Sequence, residues 1–193
     1  MKFHIYLFRH GESYYNAKRR FTGWTNSRMT PKGIKQARTI ARKLKNKKID
    51  VAYQSRLSRS KNTLKEVLRY HPECKKVITD DRIIERSYGR LQGKFHKTLV
   101  KKFGKAKVHS IRRGYDTRPP GGESIKMVEK RVLSFIKDLL KKIKKEKVNV
   151  AVSAHGNSMR PFRRYFEKFS IKQMMKLENP WDDYFEYTIE VKA

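Results

Sequence analysis

The sequence predicts an α/β fold: a mainly parallel sheet with helices on both faces, three layers deep. Short β-like apolar runs alternate with longer segments of helical periodicity along the whole chain, which is the pattern of strands joined by crossover helices. With 193 residues the chain is long enough for one sizeable core, and no linker or repeat divides it, so residues 1–193 read as a single domain. Two of the apolar runs end in the same way. "FHIYLF" leads into "RHGES" (residues 9–13) and "VNVAVS" leads into "AHGNS" (154–158). In parallel sheets ligands bind outside the carboxyl ends of the strands, which is where both His-Gly pairs fall.

The elements follow in order. Residues 2–8 form the first strand candidate. In "TPKGIKQARTIARKLKNKK", Thr30 is placed to cap a helix whose first residue is Pro31, a proline position that costs no hydrogen bond. Ile34, Ala37, Ile40, Ala41 and Leu44 share one face of it. "DVAYQS" (50–55) is a short strand, and residues 57–70 are a helix with Leu57, Leu64, Val67 and Leu68 inward, ending near His71-Pro72. "KVITD" is a further strand candidate. Residues 82–122 read as irregular, with one short helix near Leu99–Phe103 and a turn at "RPPGG". A long helix from Ser124 to about Lys145 buries Ile125, Val128, Val132, Phe135 and Leu139. "VNVAVS" is the next strand, Met159, Phe162, Phe166 and Phe169 form another helical stripe, and "YFEYTIEV" alternates as an edge strand does.

Charge is the extreme feature. There are 49 Lys+Arg against 18 Asp+Glu, a net charge of +31, so the chain attracts small phosphorylated anions and, in a salt-sensitive and incidental way, nucleic acid. The basic residues are spread along the chain without a nucleic-acid-binding motif. The single Cys74 allows no internal disulfide and no multi-cysteine zinc site. No apolar run approaches the roughly 20 residues of a membrane span, and the N-terminal run is too short for a signal-peptide core. The expectation is a cytoplasmic protein with no membrane partner. A homo-oligomer is left open.

The residue types at the two strand ends suit phosphoryl transfer. A neutral imidazole is a competent nucleophile near neutral pH. Arginine offers a planar fork of donors that matches phosphate oxygens, and phosphoryl transfer mostly needs positioning and charge neutralisation. The sequence has no H-E-x-x-H and no Walker-type loop, so no metal is expected and guanidinium groups would supply the positive charge. A lone His-Gly after a strand is ordinarily only a turn. Two copies with acidic and basic segments between them favour a catalytic reading.

Those segments resemble the histidine phosphatase superfamily, and within it the compact, 2,3-bisphosphoglycerate-dependent phosphoglycerate mutases. "RHGES" with Asn16, "FTGWTN" (21–26), "SRLSRSKNT" (55–63), "ERSYGRLQG" (85–93), "RRGYDTRPPGGES" (112–124) and "AHGNS" occur in the family's order. The resemblance implies a phosphoglycerate-mutase-like fold and interconversion of 2- and 3-phosphoglycerate, with 2,3-bisphosphoglycerate as the primer that phosphorylates His10. It implies that Arg9, Arg59 and His155 grip the transferring group and that Glu85 is the general acid and base. Ser13, Asn16, Thr22, Gly23, Arg86, Tyr88, Arg112, Arg113, Gly156 and Asn157 would hold the rest of a small anionic phosphorylated substrate. The chain departs from the family in four places. His96 stands where a substrate-contacting Lys is usual, Tyr15 and Ile111 stand where Trp is usual, and "LENPWDDYFEYTIEV" lacks a Thr-Gly turn and has almost no tail. A site left open to water would favour hydrolysis of phosphohistidine, so a metal-independent phosphatase on small phosphomonoesters is the alternative. An anion- or nucleic-acid-binding protein on the same scaffold is a third reading.

Overall fold

A computed structural model describes residues 1–192. Five strands form one sheet in the order β3-β2-β4-β1-β5. β1 (Lys2–Arg9), β2 (Val51–Gln54), β3 (Lys76–Thr79) and β4 (Val150–Ala154) are parallel, and β5 (Tyr184–Glu190) runs antiparallel to β1 at one edge. Side chains alternate across the sheet, as a pleated strand requires. Ile5, Leu7, Val51, Tyr53, Val150 and Val152 face one layer; Tyr6, Phe8, Ala52 and Ala151 face the other.

The first face is covered by α6 (Ile125–Glu146) and α7 (Gly156–Glu167), the second by α2 (Pro31–Leu44) and α3 (Ser58–Leu68). The three-layer arrangement expected from the sequence is therefore present. The α6 stripe is Ile125, Val128, Val132, Phe135, Ile136, Leu139 and Ile143, none more than 1% exposed. Each such side chain contributes about 1.5–3 kcal/mol of burial. Caps fall where the sequence puts them. Thr30 accepts a hydrogen bond from the Gly33 amide at 3.0 Å, and Ser124 accepts one from the Met127 amide at 3.2 Å.

Residues 82–122 are more regular than expected. Two 3-10 turns (Asp81–Ile83 and Gly89–Leu91) precede two helices, α4 (His96–Phe103) and α5 (Lys105–Arg113). The second helix was hidden by its "KAKVHSIRR" composition, in which only Val108 and Ile111 are buried apolar positions. These two pack with Phe21, Leu91 and Leu99 in a satellite core. Short helices α1 (Tyr14–Ala17) and α8 (Ile171–Lys176) also lie in stretches without clear periodicity. Phe169 falls beyond α7, which stops at the left-handed Lys168.

The loop after β1 is pressed against α2. A Cβ on Gly11 would overlap the Gly33 carbonyl, and a Cβ on Gly33 would overlap the Glu12 carbonyl. Two glycines thus let the helix terminus and the His10 loop meet backbone to backbone. None of the helices among the described residues is long and apolar enough to cross a membrane.

Candidate active site

The two His-Gly motifs meet because β1 and β4 are neighbours in register. Arg9 is paired with Ala154, and the His10 amide donates to the Ala154 carbonyl at 3.1 Å. The next side chains, His10 and His155, therefore lie side by side, with ring centroids 4.8 Å apart. Both are fully buried.

Hydrogen bonds orient both imidazoles, two on the His10 ring and one on the His155 ring. His10 Nδ1 is 2.7 Å from the Gly11 carbonyl, so Nδ1 carries the proton and Nε2 keeps its lone pair. Arg59 Nε donates to that Nε2 at 3.2 Å. His155 Nε2 is 2.7 Å from the Ser55 hydroxyl. Ser55 also accepts the Leu57 amide; its own proton can be given to His155 Nε2, and in that tautomer the imidazole proton sits on Nδ1. That Nδ1 is buried with no partner, a donor without an acceptor in the protein itself.

The electrostatics follow from burial. His10 is held well below the usual imidazole range, first by burial and then by Arg59 and Arg9. His155 is lowered for the same reasons, burial first. Both are therefore neutral at pH 7. Burial also lowers Arg9 and Arg59, each to about 10, which still leaves them charged. Arg59 is fixed by bonds to the Thr25 and Gly23 carbonyls at 2.9 and 2.7 Å. Arg9 Nε is buried and unpartnered.

Glu85 is buried beside them. One oxygen, Oε1, accepts the Arg86 and Asn157 amides at 2.8 and 3.1 Å; Oε2 accepts no hydrogen bond from the described residues. Donor atoms of His10, Glu85 and His155 all lie within 4.8 Å of one another, a spacing that a metal could use. Two guanidinium groups, of the buried Arg59 and the partly buried Arg9, flank the same space, and like charge there opposes a divalent cation and favours an oxyanion.

A cavity of about 190 Å³ is lined by Arg9 and Glu85 of this cluster, whereas His10, Arg59 and His155 are not among its lining residues. Of the residues expected to hold substrate, Asn16, Thr22, Gly23, Tyr88, Arg112, Arg113, Gly156 and Asn157 line it, with Arg9 and Glu85. Ser13 and Arg86 do not. The Ser13 hydroxyl is engaged with Asn16 Oδ1 at 2.7 Å, and Arg86 donates to the Glu123 and Thr117 carbonyls, both at 2.7 Å. Their positions are those of supports. Ser13 orients Asn16, and Arg86 ties the 112–123 segment to Glu85.

Arg20, Arg160 and Asn179 also line the cavity and were not singled out from the sequence. Arg20 and Arg160 are two of 49 cations, with no pattern to mark them. Trp181 was missed too. It precedes β5 and lies flat on the Arg9 guanidinium, 3.4 Å from ring centroid to Cζ, with its edge toward His10 at 5.7 Å. The segment that lacks a Thr-Gly turn thus still reaches the site. His96 stacks edge-on against Phe21 at 4.3 Å. Burial, then Arg112 and Arg19, push it down to about 4, so it cannot stand in for a lysine cation at pH 7.

The sequence model of the histidine phosphatase superfamily (branch 1) matches residues 5–189. The chain is 38% identical over 177 residues to a protein of Parvibaculum lavamentivorans named 2,3-bisphosphoglycerate-dependent phosphoglycerate mutase, covering 90% of this chain and 84% of that one. Among solved structures it superposes on a phosphoglycerate mutase from Bacillus anthracis with a TM-score of 0.82 at 21% identity, covering 98% and 88% of the two chains. A mycobacterial glucosyl-3-phosphoglycerate phosphatase gives a TM-score of 0.83 at 20% identity, covering 97% and 91%. At those identities the structural likenesses concern the fold. The family match spans nearly the whole chain, and it includes both strand ends that carry the paired imidazoles: this chain belongs to the histidine phosphatase superfamily.

Proposed function

We propose that the protein is a phosphoglycerate mutase that interconverts 2- and 3-phosphoglycerate through a phosphohistidine at His10. The observation that carries the reading is the buried His10–His155 pair at the ends of two neighbouring parallel strands, with Arg59 donating to His10 Nε2 and unpartnered nitrogens on Arg9 and His155. Relatives at 31–38% identity over about nine-tenths of the chain bear the mutase name, which supports the substrate.

His10 Nε2 attacks phosphorus while the bond from phosphorus to the substrate oxygen breaks. Arg9, Arg59 and His155 Nδ1 donate to the equatorial oxygens; Arg9 Nε and His155 Nδ1 have no partner in the protein, and Arg59 Nε exchanges its bond to His10 Nε2 for one to the phosphoryl group. Glu85 gives its proton to the leaving oxygen and later takes one from the attacking hydroxyl. Arg112 and Arg113 would hold the carboxylate while the bound bisphosphate turns over. The residues present fit 2,3-bisphosphoglycerate as primer, since they offer cations at both ends of a small polyanion with two phosphates and a carboxylate; bound there, it would supply the first phosphoryl group for His10.

Hydrolysis is the second reading. It is favoured by an outer cavity of about 830 Å³ that shares residues with the inner one and gives water a route to phosphohistidine. Nucleic acid is at most an incidental, salt-sensitive partner of the +31 surface.

Incubation with 3-phosphoglycerate, with and without 2,3-bisphosphoglycerate, followed by phosphorus NMR, separates the readings. Primer-dependent 2-phosphoglycerate is the expected product, and free phosphate alone would replace the mutase with the phosphatase. His10→Ala should abolish both products; retained turnover would remove His10 from the nucleophile's role.

A further inference from the structure

Beside the inner cavity lies the outer one, bounded by Lys18, Arg19, Arg20, Lys97 and Arg112, with Phe95, Val100 and Trp181 as apolar walls. Asn16, Arg20, His96 and Arg112 line both, so the two chambers are continuous. No acidic side chain lines the outer one. None of its five cations has a carboxylate within 4.0 Å among the described residues, although Lys and Arg side chains elsewhere among them form sixteen such pairs.

Arg20 is the group held in place between the chambers. Its guanidinium lies over the Phe95 ring at 4.0 Å, and its one protein hydrogen bond, to the Gly93 carbonyl, is long at 3.4 Å. Its Nε is buried without a partner. The neighbouring turn is also held: Arg19 is left-handed, with φ of 51°, and its carbonyl accepts the His96 amide at 3.0 Å. A fixed, unpaired guanidinium at the junction of two cavities, with further cations at the rim, is the arrangement that captures an anion.

We infer that the outer chamber is a second anion subsite, which takes the remote anionic group of organic phosphates longer than phosphoglycerate. One phosphate sits over His10, an apolar spacer lies along Phe95, Val100 and Trp181, and the remote anion meets Arg20, Lys18 and Lys97. The inference rests on the phosphoryl-binding reading of the inner site, and it extends the substrate class to elongated bisphosphates.

The test is binding, so that it does not depend on turnover. Alkane bisphosphonates of increasing chain length, and the matching monophosphonates, are titrated calorimetrically into the intact protein. Methylene bisphosphonate is too short to reach the outer chamber and should gain little from its second phosphonate. At a longer chain length the second phosphonate should tighten binding about tenfold or more. In Lys18→Gln/Lys97→Gln, exposed rim positions outside the inner cavity, that gain should fall to below about threefold with monophosphonate affinity retained. Lys141→Gln/Lys144→Gln, which removes the same charge from the far helix α6, should keep the gain. Equal affinity of the paired compounds at every length, or equal loss in the two double variants, overturns the subsite in favour of general surface charge. Failure of any monophosphonate to bind would instead count against the inner site, as would failure of 3-phosphoglycerate to react.

Discussion

Arg59 Nε donates to His10 Nε2 at 3.2 Å, so the cation that would neutralise an incoming phosphoryl group also holds the atom that would attack it. The bond reports the resting state of a neutral imidazole, because an imidazolium would offer no lone pair there. Several expectations depend on this neutral, cation-flanked pair.

Stability should fall in mild acid. His10 and His155 are both lowered in the fold, burial being the larger cause, whereas in the unfolded chain they titrate near about 6.5. The unfolded state therefore binds protons first as pH drops, and the stability present above that value is lost below it. Thermal unfolding between neutral pH and mild acid should show a slope of up to about 1.4 kcal/mol per pH unit for each imidazole. His155→Asn should flatten part of that slope, and an unchanged slope would assign it to other groups.

Ser55 positions His155 without facing the cavity. Ser55→Ala removes the 2.7 Å bond to Nε2 and frees the ring to take the other tautomer. Phosphorylation of His10 should slow by about tenfold, the value of roughly one buried hydrogen bond, with KM for the substrate nearly unchanged. Rapid-quench measurement of phosphohistidine reads the rate, and Ser55→Thr should restore much of it.

The paired arginines should separate two reactions. Arg113 is ion-paired with Glu178 at 3.0 Å, whereas Arg112 meets no carboxylate among the described residues. Arg112→Ala with Arg113→Ala should cost the mutase reaction about a hundredfold and hydrolysis of an aryl phosphate less than about threefold. Arg112→Ala alone should carry most of the loss. Equal losses on the two substrates would mean that the pair does not hold the carboxylate.

Trp181 covers Arg9. Its removal exposes a guanidinium that is now stacked at 3.4 Å and strips a wall from beside His10. With a cation–π contact worth about 0.5–2 kcal/mol, Trp181→Ala should lower kcat by roughly three- to thirtyfold and shorten the lifetime of phosphohistidine. Trp181→Phe should recover part of both. Pulse-chase of labelled phosphohistidine in water checks the lifetime, and an unchanged value would make Trp181 a packing residue only.

Local rules in the chain were enough for the sheet and its covering helices. Thr30-Pro31 and Ser124 start α2 and α6, and the alternation of "YFEYTIEV" marks the edge strand β5. They were also enough for His10 and His155, because parallel strands put their ends on one rim. The sequence by itself could not tell which of 49 cations face the site. Arg20, Arg160 and Trp181 reach it through loops whose course depends on packing far along the chain, and Arg86 and Ser13, though adjacent in motif, are turned inward to backbone and side-chain acceptors. Periodicity and capping act over a few residues and are written in the chain. The pairing of a buried guanidinium with a carbonyl, a ring or nothing at all is decided only when distant segments close around it.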